Sequence, residues 1–286
     1  MNIRSRLINS NVYKFDETEE FWLNHPIFEF KGFSGKAEES LNFNADQIFL
    51  GLTKESLIFL NDLNLAKSII NPDLIIFASR HRSEAQRPAF LTHLTGNWSS
   101  KAEFGGNPRE LSLASALLFK AGFLSLIENS KSKLLTNFST DIEVTHHGPT
   151  TLEKPLIFME LGSTMEEWSI HKAGEIVANS IINAIYKYLD FKKKNDQSIA
   201  LGFGGTHYAP NFHRLVINSK IAMSFICPKY YVQELDRDLI TQMIENTLES
   251  VDYFIIDWKG TNSEDKKHLI PLLEEFEIPI KKTKDF

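Results

Sequence analysis

The chain has 286 residues, is 42% hydrophobic and 24% charged, and carries a formal net charge of −6. That composition is too apolar for a disordered chain, and the length suffices for a large core, here expected as a single domain over 1–286. No run reaches the roughly 18 apolar residues of a membrane span, the N-terminal MNIRSRLINSNVYKF has no apolar signal core, and Cys227 stands alone, so an intrachain disulfide and a thiolate metal cluster are excluded and a cytoplasmic protein is expected.

In chain order, short apolar runs alternate with longer amphipathic stretches. Strands are expected at 47–52 (QIFLGL), 56–60 (SLIFL), 73–79 (DLIIFAS) and 89–94 (AFLTHL). A helix is predicted over 107–130, with Asn107 as cap, Pro108 in the first helical position and Glu110 closing a capping box. Leu111, Ala114, Leu117, Leu118, Ala121 and Leu124 then recur at helical spacing. Strands follow at 142–146 (IEVTH) and 155–161 (PLIFMEL), then a second helix opened by Ser163 and Glu166, with Ile176, Val177, Ile181, Ile185 and Leu189 as its apolar stripe. The remainder reads as strands at 198–204, 214–218 and 221–226, a helix over about 232–249, and a strand at 251–257. The alternation predicts an α/β fold with a mixed, mostly parallel sheet flanked by helices.

The negative net charge means that an RNA partner would need a local basic patch. Candidates are Arg80, Arg82 and Arg87, the run Lys192–Lys194, and the C-terminal KKTK with Lys281, Lys282 and Lys284. Runs of this kind are usually solvated faces or tails.

Five apolar runs end in polar clusters: IIFASRHRS, FLTHLTGNW, VTHHGPT, FMELGST and LGFGGTHYAP. In an open parallel sheet, loops at the carboxyl ends of strands converge on one crevice. Five of the nine histidines (His81, His93, His146, His147 and His207) fall in these clusters, which marks a site. His146, His147, His207 and Glu160 form a zinc-type ligand set from separate loops, with His81 as a fifth donor, although no HExxH motif is present. The same imidazoles could serve as acid–base groups without metal. Neighbouring side chains on a strand point to opposite faces, so His146 and His147 can act together only if Gly148 and Pro149 turn the chain. In GFGGTH, His207 replaces the third glycine of a dinucleotide fingerprint and a strand is expected to follow, so that cofactor is set aside. Gly204 and Gly205 are read as permitting close ligand approach, with tight packing as the alternative. Ser163 is read as capping a helix whose free N–H groups could face the crevice and hold an anion, and Trp98 and Tyr208 are possible stacking surfaces. His171 and His213 are read as structural or exposed, and His25 and His268 have no chemical company.

SRHRS (79–83), THLTGN (92–97), THHGPT (145–150), MELGS (159–163) and GGTHYAP (204–210) resemble, in order, the sequence blocks of the archaeal-type D-aminoacyl-tRNA deacylase family, which has plant members. The resemblance implies hydrolysis of the ester between a D-amino acid and the 3′-terminal ribose of tRNA. It also implies zinc dependence, a monomer, and a fold similar to peptidyl-tRNA hydrolases and nucleoside phosphorylases. Carried over block by block, it marks His81, His93, Asn97, His146, His147, Glu160, His207 and Tyr208.

The expected catalytic groups are then His81, His146, His147, Glu160 and His207. The expected Zn2+ ligands are His146, His147, Glu160 and His207. Arg80, Arg82, His93, Asn97, Gly204, Gly205 and Tyr208 are expected around the substrate, with Lys229 joining the arginines on tRNA phosphates. The partner expected is tRNA charged with D-amino acids, with no membrane and no obligate protein partner. The rival readings are a peptidyl-tRNA hydrolase-like or other metal-dependent ester hydrolase, and a non-catalytic tRNA-binding protein. Several imidazoles in one crevice speak against the last, since RNA binding alone uses cations and aromatics.

Overall fold

In the computed structural model, which describes residues 2–34, 47–65, 68, 70–131 and 135–286, the first elements are ones that the apolar pattern does not announce. Helix α1 (Asn2–Ile8) leads into an antiparallel hairpin of β1 (Tyr13–Trp22) and β2 (His25–Phe33). The two-residue β3 (Phe49–Leu50) pairs with β2 and is what remains of the strand expected at 47–52. The run at 56–60 is a single 3-10 turn, Leu57–Phe59, and not a strand.

Two further sheets carry the fold. One has the order β4 (Ile75–Arg80), β7 (Leu156–Gly162), β5 (Ala89–His93), β6 (Ser139–Ile142). β4 and β7 are parallel, β5 runs against β7, and β6 is parallel to β5. The other is wholly parallel, in the order β11 (Ile280–Lys282), β10 (Tyr253–Ile256), β8 (Ser198–Phe203), β9 (Ile221–Cys227). The mixed, mostly parallel α/β architecture expected from the alternation is therefore present.

The helices begin where side chains can satisfy their first N–H groups, and this corrects several expectations. Helix α2 spans Ala116–Ser130 and does not start at 107. Ser115 caps it through Leu118 N–H, and the Glu249 carboxylate accepts from Ala116 N–H and Leu117 N–H. Residues 107–114 are held out of helix by tertiary bonds: Asn97 N–H to the Glu110 carbonyl, Leu111 N–H to Gln242 Oε1, and Ala114 N–H to the Asn246 carbonyl. Helix α3 (Met165–Ser169) is capped by a box of Thr164 and Glu167, one residue beyond the pair read from sequence. After Ile170 the chain continues as α4 (His171–Lys194), whose last turn holds Lys192, Lys193 and Lys194 beside the free carbonyls.

The segment 214–218 lies in a helix, α5 (Pro210–Asn218), and not in a strand. Pro210 suits its first turn, and Phe212, Leu215 and Val216 form its buried stripe. α6 (Arg237–Glu245), capped by Asp236, is shorter than the 232–249 expected, and α7 (Ser263–Glu274) follows β10. No helix among the described residues is long and apolar enough to cross a membrane.

α2 packs on α4 and also touches β5, β6 and β7 of the mixed sheet and β8 and β9 of the parallel one. It is consequently buried nearly all round, including Lys120, whose ammonium donates to the Ser219 and Ile221 carbonyls at 2.8 and 3.0 Å. Burial pushes the Lys120 pKa down to about 8. β7 sets the facing of the mixed sheet. Ile157, Met159 and Leu161 join the main core, while Leu156 and Phe158 join a smaller core with Leu60, Leu63, Phe77 and Leu152. By strand parity, Glu160 lies on the Phe158 face.

After β6 the chain stitches the sheets together. Glu143 N–H donates to the Thr92 carbonyl, Val144 N–H to the His207 carbonyl, and Thr145 N–H to the Ile226 carbonyl, all at 2.9–3.0 Å. Thr145 Oγ1 in turn accepts from Ile226 N–H. The segment 143–147 therefore lies on the seam between the two sheets.

Candidate active site

The five histidines of the sequence clusters do come together, on the seam and across the middle of β7: His81 and His207 follow the carboxyl ends of the parallel strands β4 and β8, but His93 ends a strand that runs the other way. The antiparallel run of β5 sets His93 opposite Phe158, and their rings stack with centroids 5.0 Å apart. The chain turns at His147, whose φ of 43° lies in the left-handed region, a conformation costing a non-glycine residue about 1–3 kcal/mol. That turn brings both neighbouring imidazoles to one place. Ring centroids are 4.2 Å apart for His93 and His146, 4.8 Å for His93 and His147, and 4.4 Å for His146 and His147.

The nitrogens of these three rings are sorted by the backbone. His93 Nδ1 bonds the Leu94 carbonyl (3.1 Å), His146 Nδ1 the Val144 carbonyl (2.7 Å) and His147 Nδ1 the Gly148 carbonyl (2.7 Å). A carbonyl only accepts, so each Nδ1 carries a proton, and in a neutral ring Nε2 is left with a lone pair. Burial, reinforced by the neighbouring imidazoles His93, His147 and His207, holds the His146 pKa well below the ordinary histidine value. Burial and His93 bring that of His147 down to about 3. Both rings are neutral at physiological pH and available as ligands.

Two buried glutamates complete the cluster. Glu160 Oε2 lies 3.2 Å from His81 Nδ1 and 3.7 Å from His93 Nε2. His81 reaches it because Gly162 has no side chain: a Cβ there would stand 2.8 Å from His81 Cβ. Burial opposes charge on His81 and His93, but Glu160, hydrogen-bonded to His81 and close to His93, together with the charge of Glu143, outweighs it and raises both pKa values. Although burial opposes its charge, Glu160 is driven far below the usual carboxylate range by its hydrogen bond to His81 and by the nearby imidazole of His93.

Glu143 was not singled out in the sequence. It is fully enclosed, and its Oε1 lies 2.9 Å from Nε2 of the half-exposed His207, whose Nδ1 is 3.3 Å from the Tyr230 hydroxyl. The available signal was an acid set between Ile142 and Val144, two residues of the main core, just before the histidine pair.

Donor atoms within 4.8 Å of one another form three groups: His93, His146 and His147; Glu143, His146 and His207; and His81, Glu143 and Glu160. The four ligands expected from sequence do not form one group, because Glu160 joins His81 and Glu143. His93, expected at the substrate, belongs instead among the donors. His81 Nε2, His93 Nε2 and Glu143 Oε2 are buried without a hydrogen-bond partner among the described residues. Three oriented imidazoles and adjacent unpartnered donors suit a borderline-soft divalent cation such as zinc.

The remaining expected residues take other places. The Asn97 amide nitrogen braces the 105–107 loop through the Gly105 and Asn107 carbonyls. Gly204 and Gly205 are tight-packing positions: at φ 95°, a Cβ on Gly204 would stand 2.0 Å from Thr261 Oγ1, and one on Gly205 3.2 Å from Asp257 Oδ2. The fingerprint-like GFGGTH is followed by α5, a helix, contrary to expectation, although His207 still occupies the third glycine position.

The Ser163 and Thr164 N–H groups already donate to Glu167, so that turn offers no anion site. Trp98 is closed inside the core, where its Nε1–H donates to the Thr145 carbonyl behind the histidine pair. Tyr208 is half-buried beside His207, under the Arg87 guanidinium (4.9 Å), and Arg87 is itself paired with Asp141. Arg80 lies exposed over the Trp168 ring (5.0 Å), and Arg82 is exposed. His213 pairs with Asp141, and His268 bonds the Leu235 carbonyl, outside the cluster.

Comparison with known proteins places these residues in context. The family described as D-aminoacyl-tRNA deacylase matches residues 69–281. The D-aminoacyl-tRNA deacylase of Thermococcus kodakarensis is 34% identical over 278 residues, covering 96% of this chain and 92% of the relative. That of Methanocaldococcus jannaschii is 35% identical over 238 residues, covering 81% and 86%. A crystal structure described as a conserved protein of unknown function, AF0625, superposes with a TM-score of 0.81 at 31% identity, covering 99% of this chain and 91% of that one.

Proposed function

Because this chain belongs to the D-aminoacyl-tRNA deacylase family, we propose that the seam cluster is where it hydrolyses the ester joining a D-amino acid to tRNA. The products are free tRNA and the D-amino acid, which sets aside the peptidyl-tRNA hydrolase-like and non-catalytic readings. The observation that supports this location best is the convergence of three imidazoles, each with its Nδ1 tied to a backbone carbonyl, beside the buried Glu143–His207 pair.

His93, His146 and His147 are the residues that would hold zinc, with Glu143 and His207 adjoining through the shared His146. When bound, zinc supplies a Lewis acid beside the scissile carbonyl. The protein's own groups divide the proton work. His207 is the half-exposed imidazole, and Glu143 fixes its tautomer by accepting from Nε2–H. Its Nδ1 then takes the proton of the attacking water as the oxygen bonds the ester carbon. The same proton passes to the ribose oxygen as the carbon–oxygen bond breaks. Glu160 stays ionised and positions His81 and His93, so it is a poor proton acceptor. We place this activity in the cytoplasm, carried out by a monomer with one domain.

Release of tyrosine from D-tyrosyl-tRNA and L-tyrosyl-tRNA tests the reading. The D-ester should be cleaved and the L-ester should persist over the same interval. Equal release from both, or none from folded and metal-loaded protein, would overturn it. Glu143→Gln keeps the shape of the side chain and removes its charge. It should lower kcat on D-tyrosyl-tRNA by about 10- to 100-fold, the usual cost of losing an orienting partner. An unchanged kcat would remove Glu143 from the machinery.

A further inference from the structure

Beside the cluster lies a surface cavity of about 370 Å3 lined by Lys229, Tyr230, Lys259, Gly260, Asn262 and Asp265. Tyr230 belongs to both places, since its hydroxyl faces His207. Lys229 is anchored next to the site by its N–H bond to the Gly205 carbonyl. Lys259 comes from the loop between β10 and α7, which also carries Trp258. The Trp258 ring holds two further cations: Lys266 Nζ lies 4.5 Å and Lys282 Nζ 4.1 Å from its centroid.

Two ammonium groups thus line the cavity and two more sit on Trp258, the neighbour of Lys259, and among the described residues none of the four has an acidic partner in an ion pair, whereas other lysines do. The one carboxylate lining the cavity, Asp265, is 5% exposed and accepts from Gln233 Nε2. In a chain of net charge −6, an unpaired basic face touching the site is an electrostatic asymmetry with a direction.

We propose that this cavity, through Lys229 and Lys259, binds the phosphodiester adjoining the 3′-terminal nucleoside of tRNA, and that Lys266 and Lys282, held against Trp258, guide the preceding strand. The inference rests on the proposed location of the reaction. The ester at the cluster is carried by the terminal ribose, so the next phosphate lies one sugar away, on the Tyr230 side. A cation-lined cavity open to solvent suits a phosphate on a single strand.

Binding of uncharged tRNA, which requires no turnover, tests this. The Lys229→Ala/Lys259→Ala double variant is compared with wild type on intact tRNA and on tRNA lacking its single-stranded 3′ end. On intact tRNA the salt slope should fall by about 0.7 for the one phosphate no longer neutralised, so affinities that are equal at 1 M salt should differ about 5-fold at 0.1 M. On truncated tRNA the two proteins should bind alike, and Lys229→Arg/Lys259→Arg should restore affinity for intact tRNA.

Equal affinities and slopes on intact tRNA would overturn the assignment. An equal loss on truncated tRNA would also do so, by moving the lysines to the duplex stem. Failure of the proposed reaction looks different: tRNA would bind with this lysine dependence while D-tyrosyl-tRNA stayed intact.

Discussion

His146→Ala is expected to lower the rate of D-aminoacyl-tRNA hydrolysis by about 10^2- to 10^4-fold while the protein stays folded. This ring is the node of the cluster. It lies between His93 (4.2 Å), His147 (4.4 Å) and His207 (4.8 Å), centroid to centroid, and two of the three donor groups share it. Its removal therefore breaks both the trio that would hold zinc and the link to the Glu143–His207 pair. The side chain is half-buried, so water can fill the space, and the backbone bonds of 143–145 do not depend on the ring. Initial rates on D-tyrosyl-tRNA, beside thermal unfolding, check this. His25→Ala, in the hairpin of β1 and β2, is the control and should cost nothing. Equal rates for the two variants would take His146 out of the site.

Withdrawal of metal should have an effect of similar size. Lewis-acid stabilisation is worth several kcal/mol, so a chelated, dialysed protein should lose about 10^3-fold or more in rate, and zinc should restore it where magnesium does not. The donor set supports zinc over magnesium: imidazole nitrogens predominate, whereas magnesium takes oxygen. A readout independent of rate is metal content after dialysis, which should fall in His93→Ala and His147→Ala and be retained in Lys192→Ala. Full activity in metal-free protein would overturn the zinc assignment.

The strands that position the site were legible because they read as continuous apolar runs, all of them but β4 buried on both faces. β4, β5, β7, β8, β9 and β10 all lie within or close to the expected segments. β1 was not legible: DETEE fills its centre, and the pairing with β2 shifts register between Glu17 and Phe21, which breaks the alternation. RLVIN has the β-branched composition of a strand, but Pro210 and the spacing of Phe212, Leu215 and Val216 decide for helix.

The histidines of the site announced themselves by falling at the ends of apolar runs. Their grouping did not, because it depends on β5 running against β7, a topological fact that no local pattern carries. Glu143 escaped notice for a related reason. A lone acid in a strand is normally a solvent-facing residue, and only the seam places this one opposite His207.

That seam also makes the proposed catalytic centre a gauge of assembly. Glu143, His146 and His147 lie on or just beyond a short stretch bonded to β5 on one side and to the parallel sheet on the other. A disturbance that lets the two halves separate, even with every imidazole intact, pulls His207 away from Glu143 before either half loses its own strands. Lesions far from the cluster, in the backing helix α2 for instance, can therefore silence the enzyme without unfolding it.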